Sequence, residues 1–225
     1  MTNIVKRNNN PTLEDVVSEI GPLPSEAILL GIVEEDNLPL LFDTSLWSGI
    51  VSPNILIWNG ETDFLKLVAE YILNRDDNEK DEMEFVVFTR NVEEWEFLAN
   101  KTNRVKNSPC IGVIPFWSDL ADQVLLALTS WIHAGHHPNH SIVVLVEGLE
   151  NVLNLDFETK QNFNYILLRG GKQRVFAIGT VTDKETLHGL EKMFQTKFNY
   201  NSKTDRYEFL ENDKTLEVWI PKTEI

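Results

Sequence analysis

The chain has 225 residues, 42% of them hydrophobic and 24% charged, which suits one medium α/β domain and rules out a low-complexity or collagen-like chain. Its formal net charge is −15 and its pI about 4.7, so the surface repels nucleic-acid phosphates at long range; the densest basic cluster is KTNRVK at residues 101–106, and direct nucleic-acid binding is not expected. The single cysteine, Cys110, excludes an intrachain disulfide, and no apolar run approaches the ~20 residues of a membrane span, so a cytoplasmic protein is expected.

The N-terminal MTNIVKRNNNP lacks the apolar core of a signal peptide and reads as a flexible tail, residues 1–11. TLEDVVSEI follows as a short helix capped by Thr12, with Glu14 two positions on, apolar Val16, Val17 and Ile20 on one face, and Gly21 as its stop. In EAILLGIVEEDNLPLLFDT, two apolar runs flank the polar turn EEDN, which predicts a β-hairpin. SLWSGIVSP is then a loop into the strand NILIW, residues 54–58.

From Glu61 the apolar spacing becomes helical, through Phe64, Leu65, Val68, Ala69, Ile72 and Leu73. NRDDNEKDE is a solvated connection, MEFVVFTR a strand, VEEWEFLANK a helix and CIGVIPF another short strand, with Cys110 a core residue. Ser118 caps the long helix DLADQVLLALTSWIHAG, whose first turn carries two aspartates where the helix dipole favours them. SIVVLVEGL is a near-continuous apolar strand, as expected when both faces are covered. ETKQNFNYILLRGG predicts a helix stopped by glycines, QRVFAIGTV a strand, and DKETLHGLEKMF a further helix. DRYEFLEND and KTLEVWIP close the chain as a second hairpin. Strands alternating with helices imply right-handed βαβ units and a mostly parallel sheet. The expected division is a lead-in helix and hairpin over residues 12–52, a core over 53–200 and a C-terminal hairpin over 201–225, all in one domain.

One junction bears on chemistry. A working phosphate loop, G-x-x-x-x-G-K-[ST], lies between a strand and a helix: its backbone N–H groups converge on phosphate oxygens, its Lys neutralises them, and its hydroxyl ligates magnesium. Here the strand ends at Trp58, only Asn59 and Gly60 make the turn, and the helix begins at Glu61–Thr62. If Thr62 takes the hydroxyl position, Glu61 replaces the lysine and the loop is about four residues short. An ordinary α/β strand-turn-helix carries the same pattern, and this stretch alone favours that reading. Trp58 either fills the phosphate position or packs against the lead-in hairpin.

Three blocks, in order, make the chain similar to the FtsK/HerA class of P-loop ATPases, which are DNA-pumping motors. AILLGIVEEDNLPLLFDTSLWSGIVSPNILIWNG resembles their lead-in, with Gly31, Pro39 and Asp43 matching; SIVVLVEGLENVL resembles their second motif; NYILLRGGKQRVFAIGTVTD resembles the following unit, and MFQTKFNY the strand after it. The resemblance spans roughly residues 26–200 and implies a RecA-like sheet. The departures fall on the chemistry it implies. Glu147 stands at the position of the magnesium-holding aspartate and Gly148 at that of the water-activating acid. Val181 replaces the sensor glutamine, although Thr180 remains. The expectation is a pseudo-ATPase with vestigial positions Asn59, Gly60, Glu61, Thr62, Glu147 and Gly148, no catalytic residue and no cofactor. It would act as a scaffold, regulatory or protein-binding subunit, with protein partners or copies of itself. A divergent nucleotide-binding or nucleotide-hydrolysing protein is the alternative.

HAGHHPNH gathers His133, His136, His137 and His140. Two or three imidazoles at this spacing suit zinc or nickel. A connector at a helix C-terminus, where His gains from the dipole, accounts for them equally in kind and is the favoured reading. A metal-binding module remains the third possibility.

Overall fold

The computed structural model describes residues 11–21, 23, 24, 26–44, 53–75, 82–95, 112–115, 119–135, 139–152, 154–211 and 214–223. Ten strands form one sheet: β1 (Ala27–Val33), β2 (Pro39–Asp43), β3 (Asn54–Trp58), β4 (Glu82–Thr89), β5 (Gly112–Pro115), β6 (His140–Val146), β7 (Val175–Val181), β8 (Phe194–Asn201), β9 (Arg206–Glu211) and β10 (Lys214–Trp219). Their order is β2-β1-β10-β9-β8-β3-β7-β6-β4-β5. The six strands from β8 to β5 pair in parallel, and the four from β2 to β9 join antiparallel as the two expected hairpins. The α-helices are α1 (Leu13–Ile20), α2 (Thr62–Leu73), α3 (Asp119–Ala134), α4 (Leu149–Val152) and α5 (Phe157–Arg169).

The parallel strands are apolar on both faces, and alternation sorts their side chains between two cores. Ile55 and Ile57 of β3, Val143 and Leu145 of β6, and Phe176 and Ile178 of β7 meet α1, α2 and the lead-in strand β1. Leu56, Val144, Val146, Val175 and Ala177 meet α3, α4 and α5 on the other face. Helix α2 is enclosed nearly all round, with nine buried residues among its twelve. Its Phe64 lies 5.2 Å from the ring of Phe198 and 5.1 Å from that of Tyr207, which ties the helix to β8 and β9. At about 1.5–3 kcal/mol for each large side chain fully buried, this contact does much to hold the C-terminal hairpin in the sheet. Asn54, fully buried at the start of β3, gives its amide to the Leu167 and Met193 carbonyls and accepts from Ala177 N–H, so a polar residue inside the core has its needs met.

Local chemistry departs from expectation at several points. The Thr12 cap of α1 is the expected one, and Asp15 completes it as a capping box, its carboxylate taking Thr12 N–H at 3.0 Å. Those hydrogen bonds hold the Asp15 carboxyl below its ordinary range. Pro11, placed in the tail by the sequence, already accepts from Lys222 N–H at 3.0 Å. Residues 183–194 form two 3-10 turns, Lys184–Leu187 and Leu190–Met193, and not one helix. His188 and Gly189, at φ 45° and 96°, break the helical path between them, and Leu187 and Leu190, three apart, are the buried anchors. Helix α5 ends as expected before Gly170, yet Gly170 keeps a right-handed φ of −57° and the left-handed position falls to Arg174. A side chain at Gly170 would strike the Val175 carbonyl, so close packing on β7 is what requires glycine there. Helix VEEWEFLANK is described only at residues 92–95, and Cys110 and Ser118 lie outside the described residues.

Candidate functional site

The passage from β3 to α2 is three residues long: Asn59, Gly60 and Glu61. Trp58 is still in register with Val181 of β7 and Asn199 of β8. Asn59 then turns sharply at φ 51°, donating its N–H to the Val181 carbonyl at 2.8 Å and its side-chain amide to Asn199 Oδ1 at 3.3 Å. A Cβ on Gly60 would run into the Ile57 side chain. Glu61 is the N-cap residue of α2, in extended conformation and without a side-chain capping bond, and Thr62 is the first helical residue. The turn therefore follows its strand and helix as tightly as the sequence predicts.

Glu61 and Asp63 are exposed, and their field reaches two tyrosines that the sequence did not single out. Burial first, then a hydrogen bond to Asp205, with Glu61 and Asp63 adding to it, pushes the Tyr200 phenol up to about 12. Tyr207, more deeply buried and 5.0 Å from the Tyr200 ring, is raised by burial and then by Asp63.

At the end of β6, Glu147 draws together three elements. Its Oε1 accepts from the Thr62 hydroxyl at 3.0 Å. Its Oε2 accepts from Trp95 Nε1 at 3.1 Å and from the Thr89 hydroxyl at the end of β4. Thr89 and Trp95 are both fully buried. Gly148 follows at φ 78° and donates its N–H to the buried Thr180 hydroxyl at 3.0 Å. A Cβ at Gly148 would lie 2.5 Å from Asn151 Nδ2, so both conformation and space favour glycine there. Glu150 Oε1 accepts from Thr182 at 3.1 Å just beyond.

The fold thus joins Thr62 to Glu147 directly and sets Thr180 against Gly148. Thr89 and Trp95 were not foreseen. The strand order places the end of β4 beside that of β6, which is the one signal that points to Thr89; nothing in the spacing announces the reach of Trp95. Trp58 packs against the core formed with α3 and α5, whereas the lead-in hairpin belongs to the opposite core, so packing against that hairpin is overturned by the alternation along β3.

The histidine loop divides. His133 stacks on Tyr165 at 4.7 Å, with Nδ1 3.3 Å from the phenol oxygen. His140 sets Nδ1 3.1 Å from Glu82 and Nε2 3.0 Å from Glu84, with Trp131 edge-on at 5.0 Å. His136 and His137 lie outside the described residues, among which no group of three or more His, Cys, Asp and Glu side chains is arranged to hold a metal ion.

No family model matches the chain, and no curated protein matches it. Solved structures do. The chain is similar to EccC (ATPases 2 and 3) of Thermomonospora curvata in complex with a signal sequence peptide, with a TM-score of 0.66 and 13% identity over 97% of this chain and 44% of that one. It is similar to the cytoplasmic domain of EssC, with a TM-score of 0.66 and 12% identity over 98% of this chain and 48% of that one. It is also similar to an ATPase matched over 97% of both chains, with a TM-score of 0.66 and 11% identity. The chain spans less than half the length of the EccC and EssC chains. The likeness is one of fold: a mostly parallel sheet flanked by helices, as in RecA-like P-loop ATPases.

Proposed function

We propose that this chain is an ATPase-like domain that does not hydrolyse nucleotide and acts as a protein-binding, scaffold or regulatory subunit of a larger assembly. The observation that carries this reading is the three-residue passage from Trp58 to Thr62. A triphosphate needs several consecutive N–H groups curled about it and a cation beside it. This passage is about four residues shorter than that motif and presents Glu61 where the motif has lysine. Each like-charge contact at ~4 Å costs about 1 kcal/mol in water and about 4 near a protein surface, and Glu61 and Asp63 both act on an incoming phosphate.

The second motif supports the same reading. Glu147 has both oxygens engaged by protein donors, and Gly148 carries no carboxylate to polarise an attacking water. Val181 is buried in the core where a polar sensor would stand. These residues do not fit a magnesium–nucleotide.

The assembly half rests on fold and extent. The EccC chain holds two ATPase units, of which this chain has the size of one, and it was captured with a peptide bound. A domain of this kind can keep its packing surfaces after losing its chemistry. A cytoplasmic setting agrees with the likeness to the EssC cytoplasmic domain, and among the described residues no helix is long and apolar enough to cross a membrane.

Calorimetric titration of the full chain with magnesium-ATP to millimolar concentration tests the first half. The expected result is no saturable heat and no phosphate release; one bound nucleotide per chain, or turnover, overturns it. Affinity capture from the native organism beside a mass measurement of the pure protein tests the second half. A chain that comes down alone and stays monomeric overturns the scaffold reading.

A further inference from the structure

The exposed apolar side chains are gathered on one side of the sheet. Of the five large ones among the described residues, Leu120 and Leu126 lie on α3, and Phe157 and Leu168 on α5. These two helices lie side by side and run the same way: Asp122 feels the charge of Asp156 at one end, and His133 stacks on Tyr165 towards the other. Phe157 and Leu168 are 70% and 56% exposed. Three helical turns separate them, about 16 Å at 1.5 Å per residue, and at 3.6 residues per turn they leave α5 within roughly 20° of one another. The outer face of α5 thus carries an apolar group at each end.

The same face is charged unequally along its length. At its N-terminal end Asp119, Asp122, Asp156 and Glu158 crowd together, so that burial first, and then Asp156, Asp119 and Glu158, hold the Asp122 carboxyl above its ordinary range. At its C-terminal end stand Arg169 and, just beyond it, Lys172, both exposed. A face of this kind is its own complement when turned end for end. With a two-fold axis between Asn162 and Phe163, Phe157 meets Leu168 of a second copy, Gln161 meets Asn164, and Asp156 meets Arg169.

We propose that the outer face of α5, with α3 beside it, is an isologous interface on which a second copy of this chain docks antiparallel. This rests on the protein-binding half of the proposed function and names the partner. Each copy carries a formal charge of −15. A parallel arrangement sets acid on acid and adds to the repulsion between copies, whereas the antiparallel one sets each acidic end on a basic end and offsets it. Two Phe157–Leu168 contacts form the apolar part, and the charged ends form the rim.

The test measures the mass of the full chain by light scattering up to submillimolar concentration. The parent is expected to reach twice its 25.9 kDa. Phe157→Glu is expected to raise the dissociation constant about thirtyfold or more, and Arg169→Glu about fivefold. Both positions are exposed, so circular dichroism and the unfolding midpoint are expected to stay parental. Cysteine pairs check the orientation in a Cys110→Ser background. In F157C/L168C the two thiols lie about 16 Å apart within one chain, too far for a disulfide, so oxidised glutathione is expected to link the variant only between copies. F157C and L168C alone are expected to link far less. A parent that stays monomeric overturns the proposal; if other proteins are captured with that monomer, the protein-binding reading stands without it. A dimer that Phe157→Glu leaves intact overturns this face as the interface, and single variants that link as well as the pair overturn the antiparallel arrangement.

Discussion

The turns after β3 and after β6 leave the same edge of the sheet, with only β7 between them, yet their carboxylates are placed in opposite ways. The first is short: three residues join strand to helix, and the capping position is an exposed carboxylate without a side-chain capping bond. The second carries its carboxylate at the end of an apolar strand and turns it inward, so that Glu147 accepts from Thr62, Thr89 and Trp95. The length of a turn cannot be changed by a point substitution, whereas a bonded carboxylate is part of what holds the edge together. The difference separates a carboxylate that the fold leaves in solvent from one that the fold depends on.

That dependence can be broken at Glu147. Glu147→Ala leaves the buried Trp95 indole and two threonine hydroxyls without their acceptor, and an orphaned buried donor costs about 1–3 kcal/mol. Denaturant unfolding is expected to show a loss of about 3–5 kcal/mol. A loss no larger than that of an ordinary surface change would mean the three donors find other partners, and the contrast between the two turns would fail.

The first turn exerts its charge on Tyr200 and Tyr207, so alkaline pH reports on it. Both phenols hold their protons more tightly in the folded chain than in the unfolded one. Their contribution is whole below about pH 10, the unfolded value, and is lost as pH rises through about 12 for Tyr200 and beyond for Tyr207. Stability is expected to fall by about 1.4 kcal/mol per pH unit for each tyrosine that is ionised only when unfolded. Tyrosinate absorbance recorded beside circular dichroism checks this, and Tyr207→Phe is expected to make the fall shallower. Ionisation of both phenols near pH 10 with the fold intact would contradict the burial described here.

Gly148 sharpens the second turn. Gly148→Glu, which sets an acid beside Glu147, places a side chain at φ 78° and against Asn151. A loss of about 1–3 kcal/mol in urea unfolding is expected, with no gain of phosphate release. A variant as stable as the parent would show that the loop relaxes freely.

Much of this was legible in the sequence where periodicity changes abruptly. The switch from the run NILIW to the spacing Phe64, Leu65, Val68 fixed the junction at Asn59–Glu61 within a residue, because a buried strand and a helix enclosed by core cannot share a pattern. The two hairpins were legible for the same reason. Residues 183–194 were not: Leu187 and Leu190, three apart, satisfy helical and 3-10 spacing alike, and only the left-handed His188–Gly189 pair decides between them. The catch at Glu147 was half legible. Thr62 and Glu147 were each singled out, but their bond depends on strand order, and Trp95 reaches it across 52 residues of chain. Side-chain reach across a fold leaves no period to read.

The smallest effect is the most direct probe of the first turn. Glu61→Lys gives this turn the positive charge of a phosphate-loop lysine without adding to its length. At the N-cap of α2 a carboxylate suits the helix dipole and an ammonium opposes it, so a loss of about 0.3–1 kcal/mol is expected, fading with added salt. Calorimetry is expected to show no ATP binding at millimolar concentration, since three residues still supply too few N–H groups to enclose a phosphate. Binding gained by this single change would mean that charge, and not loop length, is what distinguishes this turn from a working one. Both turns would then differ from the phosphate-binding motif in their side chains and neither in its backbone.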